Sequence, residues 1–281
     1  MASSIERDVD DRDPARSITE EAVQWVDRKL ADSVPLHVIL DAMRSKGWAE
    51  RDIRHVLGLP QGGSGDFHDV PEPDIEGGRS VVRAGGRDIR VLMTKEEPRI
   101  VVFDDILTHD ECDFLIEASR SRLERSVIYS PDGNVVDDMR TSKGMWFEYA
   151  ENEMVRSIEE RVCELVGWST EHTQKLQVLH YPQDSEYEPH YDYFGRYAVE
   201  EHQIAQRVGT MIMYLNEPTR GGGTQFVDAG LQVMPRRGMG VFFSYDRPDP
   251  ATLTFHGGMP VHEGDKWIAT KWFTKRGQPS H

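Results

Sequence analysis

Cysteine is nearly absent: 281 residues contain only Cys112 and Cys163. So few thiols exclude a disulfide-stapled scaffold and point to a reducing compartment, although a pairing between the two stays open on sequence alone. No run approaches the ~18 apolar residues that a membrane helix needs. The opening stretch "MASSIERDVDDRDPARS" lacks the apolar segment of a secretory signal. Positive charge is also scarce, with 33 basic against 49 acidic residues and a net charge of −16. That balance argues against coating nucleic acid or anionic membranes, both of which select basic faces. Internal repeats are missing too. We therefore expect a cytoplasmic protein with no nucleic-acid or membrane partner.

What is present supports a sizeable core, since 38 % of residues are hydrophobic and six are Trp. Residues 1–16 are polar and are expected to be disordered. Helical spacing then runs over residues 17–59, with Ala22, Val23, Val26 and Leu30 first, then "VPLHVILDAMRSKGW" and "AERDIRHVL". These predict a small helical module, more simply a packing or dimerisation element than a peptide-docking one. Residues 60–79, rich in Gly, Pro and acidic side chains, read as a linker. Residues 80–97 hold a hairpin around Gly85 and Gly86.

The main domain is expected over 98–281. "THDECDFLIEASRSRL" carries a Thr108/Glu111 capping box, with Cys112, Leu115, Ile116 and Leu123 as a core stripe. "EMVRSIEERVCELVGW" forms a second amphipathic helix that gives Cys163 a buried role. After Thr173 the period changes to alternation, and about eight short strands separated by turns follow. The fold class is mainly β with flanking helices, a double-stranded β-helix or jelly roll.

Within it, "EYEPHYDYF" places His190 and Asp192 two residues apart, on one face of a strand. Either this is a satisfied polar pair or it is two thirds of a metal site. Eleven histidines make a distant third ligand easy to find; His256, before a Gly pair, is the best placed. Two His and one carboxylate match the facial triad of non-haem iron oxygenases, but catalytic zinc uses the same ligand types. In "KWIATKWF" alternation puts Lys266, Ile268, Thr270 and Trp272 on one face. If that face is inward, an anionic ligand would offset the cost of burying the ammonium. Thr210, in a row with Val208, Ile212 and Tyr214, and Tyr181 would add hydroxyls to a carboxylate clamp. The alternative is a solvent-facing Lys266 and an ordinary strand Thr210.

"LQVLHYPQDSEYEPHYDYF", "QRVGTMIMYLN", "HGGMPVHEGDKWIATKWF" and "DDMRTSKGMWF" together resemble the catalytic core of prolyl 4-hydroxylases, over roughly residues 98–276. These are 2-oxoglutarate- and Fe(II)-dependent dioxygenases. The resemblance implies His190, Asp192 and His256 as catalytic iron ligands, and Lys266, Tyr181 and Thr210 as 2-oxoglutarate contacts. It also implies Arg140, Ser142, Tyr187, Arg207 and Trp272 as substrate contacts. Fe(II), 2-oxoglutarate as co-substrate and O2 are the implied cofactors, with ascorbate as a further candidate. A carboxylate at Asp192, absent from related halogenating enzymes, points to hydroxylation. The implied substrate is a proline residue in a peptide or protein. A free imino acid such as L-proline or L-pipecolate, its carboxylate paired by Arg140 or Arg207, is the alternative, and a non-catalytic binding jelly roll the second. Two departures bear on the substrate: Val227 stands where the family commonly has Pro, and "YFGRYAVEEHQIAQ" is acidic and lacks the usual glycines. The partner of the helical module stays open.

Overall fold

In a computed structural model, residues 20–31, 70–125, 128–130, 133–135, 141–194 and 204–276 are described, with isolated positions between 39 and 56 and at 199. The chain divides into two units, Met1–Gly63 and Ser64–His281. In the first, helix α1 spans Glu20–Ala31, and Val26, Ile39, Met43, Ile53 and Val56 are buried. The expected disorder of 1–16, and most of the second and third helices, fall outside the described residues.

The second unit is mainly β. Strands β1 (Val81–Ala84), β2 (Arg87–Lys95) and β3 (Ile100–Asp104) lead to helix α2 (His109–Arg120). Short strands β4 (Glu124–Arg125), β5 (Ile128–Ser130), β6 (Gly133–Val135) and β7 (Lys143–Trp146) precede helix α3 (Glu153–Leu165). Then come β8 (Gln177–Tyr181), β9 (Tyr187–His190), β10 (Arg207–Tyr214), β11 (Arg220–Gly221) and β12 (Thr224–Phe226). Last are β13 (Leu231–Val233), β14 (Gly240–Ser244), β15 (His256–Gly258), β16 (Val261–Glu263) and β17 (Lys266–Thr274).

One antiparallel sheet runs β1-β2-β3-β14-β10-β17-β8-β7-β4, and a smaller one runs β13-β12-β15-β9. Strands β3, β14 and β17 are buried along their whole length, because both faces of the large sheet are covered. Alternation sorts their side chains. Val101, Phe103, Phe242, Trp267, Ala269 and Phe273 pack with Cys112 and Leu115 of α2 and Ile158 and Val162 of α3. Ile100, Val102, Val241, Phe243, Ile212 and Ile268 join Phe226 and Val233 of the small sheet in a second core. That inner core, between the sheets of a jelly roll, carries the site.

Local chemistry explains the frame. Thr108 Oγ1 accepts from the Glu111 N–H at 3.0 Å while the Glu111 carboxylate accepts from the Thr108 N–H at 2.8 Å, closing the capping box. Gly85 and Gly86 take φ of 56° and 72° in the two-residue turn joining β1 to β2. Cys112 and Cys163 are free and buried, and burial pushes their thiols up to about 11 and about 12, so both are inert.

Two expectations need correction. The end of the proposed linker is part of the domain: Val70 is buried in the helix-side core, and the Glu72 N–H donates to Val166 O at 2.8 Å. Its prolines and acids suggested a solvated tether, but Val70 and Pro71 pack, and Glu72 pairs with Arg99. Likewise the hairpin is no separate piece, since β1 and β2 form the outer edge of the large sheet.

Candidate functional site

Strand β9 ends at His190, and Asp192 follows in a bend. His256 opens β15 directly opposite His190. This register, not the two-residue spacing alone, brings the three together, their ligand atoms all lying within 4.8 Å of one another. His190 Nδ1 meets Glu188 O at 2.9 Å, and His256 Nδ1 meets Thr254 O at 2.9 Å. A carbonyl can only accept, so each ring carries its proton on Nδ1 and presents the Nε2 lone pair. Those two Nε2 atoms lie 3.4 Å and 3.7 Å from the Asp192 oxygens.

The electrostatics favour ligation. Burial pushes the His256 imidazole down to about 4, so it stays neutral. Burial alone would raise Asp192, but His256, His190 and Arg207 beside it hold its carboxyl well below the usual carboxylate range. Two imidazoles presenting Nε2 and one ionised carboxylate turned toward a common point are a donor set that a divalent cation completes. Tyr187 stacks on His190 at 3.8 Å, and Phe243 packs against His256 at 4.6 Å, which fixes both rings.

Lys266 begins β17 opposite Tyr181 on β8, and only 2 % of it is exposed. Its Nζ lies 5.4 Å from the Tyr181 ring centroid and 5.7 Å from that of Tyr214. Among the described residues no carboxylate pairs with it, and burial pushes the ammonium down to about 7. Close glycines shape the space: a Cβ on Gly222 would stand 3.3 Å from Lys266 Cδ, and one on Gly258 3.9 Å from its Nζ. A buried lysine without an anion, in a cradle kept open by glycine, fits a carboxylate ligand.

Thr210 is placed elsewhere. Its register partner on β17 is Trp272, six residues from Lys266 and roughly 20 Å along the strand. Its hydroxyl donates to Asp192 Oδ2 at 2.7 Å. The hydroxyl near Lys266 that the sequence analysis passed over is Tyr214, from the same row, whose OH donates to Thr224 Oγ1 at 2.8 Å. Val208 leaves that row as well: a bulge between Arg207 and Gly209 turns it into the helix-side core.

Arg207 and Trp272 lie beside Asp192, away from Lys266. The Arg207 guanidinium stacks on Trp272 at 4.0 Å and Phe194 at 4.6 Å, and its Nη1 donates to Asp192 O at 3.4 Å. Trp272 in turn packs at 5.5 Å against Trp146, which is 41 % exposed. Ser142 is fully buried, and Arg140 lies outside the described residues.

Comparison with known proteins agrees with this geometry. The sequence profile of the 2OG-Fe(II) oxygenase superfamily matches residues 176–274. The chain is 36 % identical over 203 residues to probable prolyl 4-hydroxylase 3 of Arabidopsis thaliana, covering 63 % of this chain and 69 % of that one. Prolyl 4-hydroxylase 5 of the same plant is 36 % identical over 205 residues, covering 63 % and 68 %. A prolyl hydroxylase from Trichoplax adhaerens, solved with a hypoxia inducible factor peptide fragment, superposes with a TM-score of 0.50 at 16 % identity, covering 63 % of this chain and 83 % of that one. That likeness is one of fold.

Proposed function

The chain belongs to the prolyl 4-hydroxylase-like 2-oxoglutarate- and Fe(II)-dependent oxygenases, and we propose that it hydroxylates a proline residue within a peptide or protein. It is a dioxygenase whose cofactors are Fe(II), 2-oxoglutarate and O2. The observation that carries the proposal is the convergence of His190, Asp192 and His256 within reach of a buried, anion-seeking Lys266.

The residues take these roles. His190 Nε2, His256 Nε2 and one Asp192 oxygen would hold the iron. Lys266 pairs with the far carboxylate of 2-oxoglutarate, with the hydroxyls of Tyr181 and Tyr214 at hand. With iron and co-substrate bound, O2 would be the oxidant: one oxygen atom would go to 2-oxoglutarate, which leaves as succinate and CO2, and the other would turn an unactivated C–H bond into C–OH. The chain positions and shields. Leu179, Ile268 and Val261 pack around Tyr181 and Tyr214, keeping water from the co-substrate end. Trp272 and Tyr187 flank the metal ligands as walls for the substrate ring, with Trp146 continuing outward. Misplacing the target carbon by about 1 Å costs on the order of 10²-fold in rate, which gives rigid aromatic walls their value.

The free imino acid alternative needs an arginine to meet the substrate carboxylate. Arg207 is already engaged: its Nε donates to Gln174 at 2.9 Å and its plane lies on Trp272. A tryptophan pair that runs from exposed Trp146 in to buried Trp272 suits a longer substrate better than a free amino acid. The test is one reaction series with Fe(II), 2-oxoglutarate and O2, containing an end-blocked proline-rich peptide, L-proline or L-pipecolate. Mass spectrometry is expected to find one added oxygen on the peptide. Oxygen found only on a free imino acid would overturn the peptide reading.

A further inference from the structure

Thr210 and Tyr245 form a buried chain of hydroxyls that ends on Asp192. Thr210 is fully buried on β10, between Phe243 of β14 and Trp272 of β17. Its hydroxyl has one proton. Asp192 Oδ2, an ionised acceptor 2.7 Å away, takes it. Thr210 Oγ1 can then only accept from the Tyr245 hydroxyl at 3.1 Å. Tyr245 directly follows β14 and is 3 % exposed. Burial pushes its phenol well above its usual range, with the charge of Asp192 adding to the rise, so it stays a donor. The direction is thereby fixed: Tyr245 O–H to Thr210 O–H to Asp192 Oδ2.

We propose that Tyr245 and Thr210 are positioning residues for the metal site, fixing the Asp192 carboxylate so that Oδ1 serves as its metal-binding oxygen. Oδ1 lies 3.4 Å from the lone-pair-bearing His190 Nε2, and both would turn to the cation. The chain polarises cooperatively, since accepting from the Tyr245 O–H makes the Thr210 O–H a stronger donor to Asp192. Two effects then compete if it is cut. Asp192 becomes more basic, which favours the metal, and also freer to rotate, which disfavours it. Orientation wins, because outer partners of metal ligands typically contribute about 10–100-fold in affinity.

This inference rests on reading His190, Asp192 and His256 as the metal site, but not on any substrate. The test therefore reads metal binding of the full chain, by titration with Mn(II) followed by electron paramagnetic resonance of the free ion. Thr210→Val keeps the shape and removes both hydrogen bonds, and is expected to weaken Mn(II) binding about 10–100-fold. Tyr245→Phe acts one step further out and is expected to weaken it by about tenfold, the lower end of that range. Thr210→Ser keeps the hydroxyl and is expected to restore parental binding. The decisive arm is the double variant: Tyr245→Phe should add nothing once Thr210 is Val, because the link is already cut. Thermal unfolding of each variant confirms that it folds. Parental Mn(II) affinity in both single variants, or an undiminished Tyr245→Phe loss in the Thr210→Val background, would overturn the proposal. If His190→Ala binds Mn(II) as the parent does, the metal-site reading itself fails, an outcome distinct from these.

Discussion

Lys266→Met is expected to weaken 2-oxoglutarate binding by about 10²–10³-fold, because a carboxylate would enter a dry cradle with no cation to meet it. The effect should appear as a raised KM for 2-oxoglutarate. Iron affinity, set by His190, Asp192 and His256, should stay near parental. The pH dependence follows from the same residue. In the co-substrate-free protein burial holds the Lys266 ammonium near 7, against 10.5 ordinarily. Binding an anion requires the charged form, so affinity is flat below pH 7 and falls about tenfold per pH unit above it. At pH 9 it should be about a hundredfold weaker than at pH 6. The methionine variant loses this slope.

Folding stability moves in the opposite sense. Between pH 7 and 10.5 the unfolded chain holds a proton on Lys266 that the folded chain has shed, so parental stability rises with pH there. The methionine variant should lack that rise and be more stable at neutral pH, in the manner of a residue kept for function. Calorimetry of 2-oxoglutarate binding across the pH range, with thermal unfolding alongside, checks both. An unchanged KM in Lys266→Met would remove the lysine from the co-substrate site.

Replacing any one of His190, Asp192 or His256 by Ala is expected to abolish succinate formation and hydroxylation together. Metal affinity should fall by more than the ~10–100-fold that loss of a supporting residue costs. Asp192→Asn is informative beside Asp192→Ala: it keeps the acceptor for Thr210 but loses the charge that draws the cation. The folds should survive, since these side chains pack beside the inner core, His256 on Phe243 and His190 on Tyr187, and not in the helix-side core. Any of these variants that still hydroxylates peptide would exclude its residue from the iron site.

Much of this architecture is legible in the residues themselves. Alternation in β17 places Lys266 with Ile268 inside, and the capping box marks the start of α2, because both signals are local. The pairing of His190 with His256 can be guessed, since glycines follow His256 where β9 crosses: a Cβ on Gly257 would stand 2.9 Å from Tyr187 O. Long-range register is a different matter. Thr210 looks equivalent to Tyr214 in the alternating row, yet pairing with β17 sets one against Trp272 and the other against Ile268, four residues apart along that strand. The bulge between Arg207 and Gly209 inverts Val208, and a lone Gly209 inside an apolar strand is too weak a local sign to fix that inversion in advance. Tyr245 carries no motif at all; its role comes from sitting across β10 from Asp192. Val70 and Pro71 show the same limit in reverse, since a linker composition says nothing about two residues that happen to find a core.

The most direct test of the central claim labels the oxygen. The protein, loaded anaerobically with Fe(II), receives 2-oxoglutarate and an end-blocked proline-rich peptide, and the reaction is started with oxygen-18 gas. Coupled turnover at this site predicts one labelled atom in the hydroxylated peptide and one in succinate, in equal amounts, with both products lost in His256→Ala. Label in neither product, or the same yield from His256→Ala as from the parent, would contradict it.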